Sequence, residues 1–261
     1  MDEPGLFALA ILSVVQGIAE WLPVSSEGMS MFLMLNVLKL DPASAFTYAV
    51  FLHTGTMLAV LVRFRGEFAE MLLALYGDGD VRLLKIVVVA SLFTAFTALP
   101  LMLVVKGFRS GELVNLLIGV MLILTGLILR LPGKGYRDLE ELGLKEAALL
   151  GLAQGFAILP GISRSGTTIS FLLLRKMKEE HALRLSFIIS VPAVMGATLI
   201  EGLPGGVPAT SAVLTVAITF AVGYATMDLL LRFARKVNFS AFCISLGVLA
   251  VATTLMVMIY V

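Results

Sequence analysis

The chain has 261 residues, 59% hydrophobic and 14% charged, with a mean hydropathy of +1.01; soluble domains carry about 25% charged residues, so much of this surface must face lipid. The net charge is +1 with no basic tail or stripe, which excludes nucleic acid as a partner. The lone cysteine, Cys243, cannot form an internal disulfide and reads as a small core residue.

Asp2 and Glu3 stand where a signal peptide would carry its basic segment, so the first apolar stretch is expected to be retained. That stretch, Leu6–Leu38, is interrupted by Glu20-Trp21-Leu22-Pro23-Val24-Ser25-Ser26-Glu27-Gly28. Three runs of bilayer-spanning length follow: Ala45–Arg63, Leu83–Val105 and Leu113–Leu131. A charged connector from Gly133 to Lys145 leads to a second interrupted stretch, Leu144–Leu174. It is broken by Leu159-Pro160-Gly161-Ile162-Ser163-Arg164-Ser165-Gly166-Thr167-Thr168. Spans Leu183–Ile200, Ala209–Leu231 and Phe239–Tyr260 complete the chain. Each half of a broken stretch is too short to cross alone. Each stretch therefore reads as a re-entrant hairpin, with its polar tip buried in protein or lining a wet cavity.

Charge placement tests this topology. If the first hairpin enters and leaves on one side, that side holds only Lys39, Lys106 and Arg109, Arg164 lies in the second hairpin, and every other lysine and arginine falls on the opposite side. The positive-inside rule makes the rich side cytoplasmic, with both termini outside. Reading either hairpin as a full span would scramble the asymmetry. The two hairpins also resemble each other: Gln16-Gly17-Ile18-Ala19 before Leu22-Pro23 matches Gln154-Gly155-Phe156-Ala157 before Leu159-Pro160, at an offset of about 138 residues. The expected fold is thus all-α integral membrane, a single domain of six transmembrane helices plus two opposed re-entrant hairpins. These form an inverted-topology repeat over about 5–131 and 144–260.

The second tip sets an arginine, serines and threonines between glycines. Glycines let the backbone approach a ligand, amides at the following helix N-terminus favour an anion, and arginine pairs bidentately with phosphate. Arg164 at membrane depth marks a functional site. The first tip offers Glu20, Ser25, Ser26 and Glu27, with Gln16 one turn before Glu20 on the same helix face. These carboxylates suit Mg²⁺ or Ca²⁺ or act as a base, or Glu20 simply pairs with Arg164. The serines are nucleophiles or hydrogen-bonding loop residues. His53 sits inside the first full span, as a satisfied core histidine or a cavity residue, whereas His181 reads as solvated and Asp228–Arg232 as an intrahelical pair. No Walker A loop, Rossmann fingerprint, zinc spacing or GxSxG elbow is present.

The segments Gln16–Gly28 and Pro160–Thr168 resemble the two motifs of the undecaprenyl-diphosphate phosphatase family, also called the bacitracin-resistance family, and Ser186–Ala193 a weaker third. The resemblance covers essentially the whole chain. It implies hydrolysis of a polyprenyl diphosphate to the monophosphate in the plasma membrane, at a site open to the outer face and using Mg²⁺ or Ca²⁺; a homodimer is compatible with it. Carried over by position, Gln16 and Glu20 are the acidic or metal-binding pair and Ser26 the nucleophile. Ser25, Ser163, Arg164, Ser165, Gly166 and Thr167 bind the phosphates. One position departs: the family's first motif ends Ser-Ser-x-Gly-His, and here Met29 replaces that catalytic histidine. His53 is the expected substitute, set by the repeat opposite Ser190, with Glu27 a second candidate base. The competing readings are a lipid-phosphate transporter or flippase and a non-catalytic lipid-phosphate binder.

Overall fold

Six helices are long and apolar enough to cross a bilayer, and their ends follow local chemistry. A computed structural model describes residues 4–78, 81–131, 135–202, 204, 208–234 and 238–260. Arg235 and Lys236, part of the cytoplasmic charge expected from sequence, and Lys134 lie outside these. In chain order the helices are α1 (Leu6–Ala19), α2 (Ser26–Asn36), α3 (Pro42–Arg63), α4 (Arg65–Leu75), α5 (Val81–Gly107) and α6 (Gly111–Ile128). Then come α7 (Leu144–Gly155), α8 (Arg164–Leu174), α9 (Glu179–Glu201), α10 (Ala209–Ala234) and α11 (Phe239–Tyr260). Short 3₁₀ turns cover Leu139–Glu141 and Phe156–Ile158. Among the described residues the β-type pairing is one isolated bridge, Arg137 to Met177.

Asp41 starts α3 by accepting from the Ala43 and Ser44 amides, with Pro42 in the first turn. Ser110 does the same for α6. The sequence-predicted spans match α3, α5, α6, α9, α10 and α11 within a few residues at each end. The short α4 is an addition: its exposed Leu72, Leu73 and Leu75 break the pattern of a solvated loop after Arg63.

Packing gathers the broken pairs into the middle of the bundle. Helix α1 lies on α10 and α7 lies on α5. A Cβ on Gly17 would meet Val222 at 2.9 Å, and one on Gly155 would meet Thr97 at 2.5 Å, so both contacts need a bare backbone. Helices α3 and α9 pack on each other, as do α6 and α11. Trp21, fully buried, donates to the Gly223 carbonyl at 3.0 Å and stands edge-on to Phe187 at 5.4 Å. Large apolar side chains such as Phe96, Leu103, Leu199, Val213 and Ile259 point outward, as lipid-facing residues do.

Two local expectations are corrected. Asp228 pairs with Arg63 of α3 at 3.5 Å, bridging two helices rather than bonding along its own. His181 is not free in a loop. It lies in the first turn of α9, accepts from the Leu139 amide at 3.1 Å and stands 3.3 Å from Asp138.

Candidate active site

The helix-starting residues of α2 and α8 meet tip to tip. Ser25 caps α2 by accepting from the Gly28 amide at 3.2 Å, and Ser163 caps α8 by accepting from the Gly166 amide at 3.1 Å. Ser25 also accepts from the Gly161 amide at 3.1 Å, tying one tip to the other. Its φ of 58° is left-handed, a conformation that a serine holds only when its surroundings enforce it. Gly161, at φ 104°, is where only glycine is comfortable. Thr125 of α6 braces the second tip: its hydroxyl donates to the Gly161 carbonyl and accepts from the Ser163 amide, both at 3.1 Å.

Between the tips lies a polar cavity of about 30 Å³. Glu20, Ser25, Ser26, His53, Ser163, Arg164 and Ser165, all expected from sequence, line it together with Glu27. Both helix N-termini thus open onto the same space, where aligned backbone dipoles favour an anion.

Glu20 is the hub and is 6% exposed. Its Oε1 receives the Arg164 guanidinium. Its Oε2 receives the Ser26 hydroxyl at 2.8 Å and the Gln16 amide at 2.7 Å. His53 Nε2 stands 3.3 Å from Glu20 Oε2 and 3.5 Å from Ser26 Oγ. His53 Nδ1 lies 2.7 Å from the Ala49 carbonyl. That oxygen only accepts, so Nδ1 carries a proton, and the other ring nitrogen, Nε2, faces Ser26 and Glu20. Arg164 is held a second time, donating to the Ser186 carbonyl at 3.3 Å, and its guanidinium sits 5.6 Å from the Phe187 ring centre. These bonds leave part of its N–H fork for phosphate oxygens.

Other expected residues stand outside the cavity. Gln16 is behind Glu20; Thr167 and Gly166 do not line the polar chamber, and the Gly166 amide is spent on Ser163. Ser190 donates to the Phe187 carbonyl at 2.7 Å. The residue of α9 that reaches the tip is Ser186, whose hydroxyl is 2.6 Å from that of Thr168. Met29 lines neither the polar cavity nor its neighbour. It packs instead with Ala19, Val24, Phe239 and Cys243.

A second, mostly apolar cavity of about 170 Å³ runs between α3, α5 and α9, lined by residues such as Val50, Ala98, Met102, Pro192 and Ala197. It shares Glu27, His53, Ala157 and Arg164 with the polar one. The two cavities meet at these shared residues, a small charged chamber beside a larger apolar channel. Away from this site, Asp138, Glu140 and His181 stand close enough together to share one ion, but Asp138 already holds Lys178 at 2.8 Å.

Residues 9–252 match the family model described as bacitracin resistance protein BacA. An undecaprenyl-diphosphatase of Methanothrix thermoacetophila is 49% identical over 248 residues, covering 94% of this chain and 95% of its own. One of Methanopyrus kandleri is 41% identical, covering 98% of each chain. One of Methanococcoides burtonii is 40% identical, covering 93% and 96%. With the family model spanning nearly the whole sequence and such relatives matched end to end, this multi-pass membrane protein belongs to the bacitracin resistance protein BacA family.

Proposed function

We propose that the chain is a polyprenyl diphosphate phosphatase of the undecaprenyl type, releasing the terminal phosphate and leaving the lipid monophosphate for reuse as a carrier. The observation that carries the reading is the cluster of Ser26, Glu20 and His53 facing Arg164 across the two tips. It supplies a hydroxyl nucleophile, a base beside it and a fixed cation for phosphoryl oxygens in one enclosed space. The relatives' names agree with it.

In this reading the terminal phosphoryl group occupies the polar chamber and the prenyl chain the apolar channel. Ser26 Oγ attacks the terminal phosphorus as the bond to the lipid phosphate oxygen breaks, and the hydroxyl proton passes to His53 Nε2. The lipid monophosphate leaves with the electron pair of the broken bond. Water then attacks the phosphorus of phospho-Ser26, the Oγ–P bond breaks with Oγ taking back the proton from His53 Nε2, and both protons of the water leave on the inorganic phosphate. Arg164 and the amides at the α2 and α8 N-termini offset charge on the phosphoryl oxygens, where electrostatic catalysis is largest. Glu20 holds Arg164, orients His53 and stabilises its protonated form. His53 thereby takes the part that Met29, outside the chamber, cannot. A divalent cation, Mg²⁺ or Ca²⁺, belongs to this reading as a partner of the substrate phosphates.

The topology goes with it. Helices of 14, 11, 12 and 11 residues in α1, α2, α7 and α8 reach about 15–20 Å each at 1.5 Å per residue, short of a core about 30 Å thick. Their tip-to-tip contact supports two re-entrant hairpins entering from opposite faces. Matched caps at Ser25 and Ser163 and matched contacts at Gly17 and Gly155 support the inverted repeat. Both termini lie outside the cell in this scheme, and the membrane is the plasma membrane.

The test is phosphate release from a long-chain polyprenyl diphosphate by the purified protein in detergent, with and without Mg²⁺ or Ca²⁺. Arg164→Ala is expected to lower kcat/KM by about 10²–10³-fold, the range for loss of one transition-state donor. No release by the unaltered protein would overturn the reading.

A further inference from the structure

Two carboxylates flank the nucleophile, and their surroundings differ sharply. Glu20 has both oxygens engaged, one by the Arg164 guanidinium and the other by the Ser26 hydroxyl and the Gln16 amide, with His53 alongside. The guanidinium already in contact neutralises that carboxylate and repels a second cation. Gln16 does have an unpartnered Oε1, but Gln16 lines neither cavity. The pair that the family resemblance points to therefore offers a poor seat for a divalent ion.

Glu27 is the opposite case. It is 9% exposed, and among the described residues it has no ion pair. Its Oε1 is sealed from solvent and has no hydrogen-bond partner. It lines both cavities, at the join where charged chamber becomes apolar channel. A buried carboxylate without a cation or a full set of donors is costly, so its position calls for a counter-charge. Glu27 lines the apolar cavity as well as the chamber, so a lipid diphosphate with its terminal phosphoryl group in the chamber and its chain in the apolar cavity passes Glu27. An ionised Glu27 there would oppose an anionic substrate unless a cation stood between the two.

We infer that Glu27 is a metal ligand: it holds a divalent cation at the join of the two cavities, shared with the phosphate oxygens of the substrate. Mg²⁺ is commonly bound this way, by one or two carboxylates plus substrate phosphates and water. A cation held there would offset the charge of the Glu27 carboxylate and of the substrate phosphates. The inference rests on the phosphatase reading for the identity of the anion, but the cation seat can be measured without turnover.

The experiment is Mn²⁺ binding to the detergent-purified protein, followed by electron paramagnetic resonance, with and without the non-hydrolysable probe farnesyl methylenediphosphonate. The expected result is a site that tightens with the probe, weakened in Glu27→Gln beyond the about 10–100-fold that loss of an outer-shell partner costs. Gln16→Ala should stay within about twofold of the unaltered protein, and Glu27→Asp, which keeps the charge, should retain measurable binding with an altered spectrum. Monodisperse elution and an unchanged thermal midpoint identify a folded Glu27→Gln. Mn²⁺ binding by that variant equal to the unaltered protein, or loss of binding in Gln16→Ala alone, would overturn the inference. So would the absence of any Mn²⁺ site. If Glu27→Gln binds normally while the unaltered protein still releases phosphate, the inference falls and the phosphatase reading stands. If Mn²⁺ binds through Glu27 and no phosphate is released, the metal seat stands and that reading falls.

Discussion

The pair α1–α2 and the pair α7–α8 share a backbone plan and divide the chemistry. Both have a Gln-Gly shoulder, a Leu-Pro break and a serine that caps the second helix. The first carries the carboxylates Glu20 and Glu27 and the hydroxyl of Ser26; the second carries Arg164. Neither half is a site alone, because Glu20 without Arg164, and Arg164 without Glu20, would each be a charge without its counter-charge at the tips. The geometry of the tips is common, and function comes from which polar residues each tip was given.

The largest expected effect lies where the division is sharpest. Ser26→Ala removes the nucleophile, with a predicted loss in kcat of at least about 10³-fold, since deleting a covalent nucleophile can cost as much as deleting its whole constellation. Substrate binding should survive, since Arg164 keeps its partner Glu20. Steady-state kinetics together with binding of a non-hydrolysable diphosphonate separates the two. Activity within tenfold of the unaltered protein would make Ser26 a water-orienting group.

His53 comes next, because it joins the first pair to α3 and is the base in the proposed mechanism. His53→Ala is predicted to lower kcat by about 10²–10⁴-fold, the range for a general base. A second change sharpens the point. Met29→His in the His53→Ala background should not restore activity, because Met29 faces Ala19, Val24 and Phe239 rather than the chamber. Phosphate release that recovers in the double variant would show that position 29 reaches the chamber.

The matching glycines offer a smaller, structural test. A Cβ on Gly28 would meet the Gly161 backbone nitrogen at 2.8 Å, whereas one on Gly166 would meet the Ser163 Cβ at 3.1 Å and Pro23 Cβ at 3.4 Å. Backbone cannot step aside as a side chain can. Gly28→Ala should therefore lose about 1–3 kcal/mol and separate the tips, and Gly166→Ala should lose less. Thermal unfolding in detergent beside phosphate release checks this, and equal losses at both positions would remove the asymmetry.

Much of this plan is legible in the sequence, for physical reasons. Polar, Pro/Gly-broken stretches cannot sit in lipid, so they marked the tips. The lysines and arginines set the expected sidedness, and residue types alone pointed to Glu20, Ser26 and Arg164, which the fold brings together. Other features depend on rotation about helix axes, which apolar spans with little amphipathicity do not reveal. That is why Ser186 rather than Ser190 meets the second tip, and why Asp228 pairs with Arg63. Glu27 differs from Glu20 only through the absence of partners, which no linear pattern displays. Thr125 did carry a signal: a threonine inside an otherwise apolar span invites the question of what it bonds.

The smallest effect distinguishes the outer ends of the two pairs. Helix α1 begins after Gly5 with no side-chain cap. Helix α7 is clamped by Glu146, which takes both guanidinium nitrogens of Arg137 at 3.0 and 3.1 Å and the Arg175 Nε at 2.6 Å. The Arg137 hydrogen bonds, reinforced by Arg175 and opposed by burial, pull the Glu146 carboxyl down to about 2. A carboxyl lowered on folding adds stability that is full above its unfolded value, about 4.3, and is lost as pH falls toward 2. Glu146→Gln should therefore lower the thermal midpoint at pH 7, and the gap should close between about pH 4.5 and pH 2. Screening keeps it small, because Arg175 is half exposed and exposed ion pairs are worth about 0–1 kcal/mol. A gap that is constant from pH 7 to pH 3 would mean that Glu146 acts through packing at the mouth of the second pair, not through its charge.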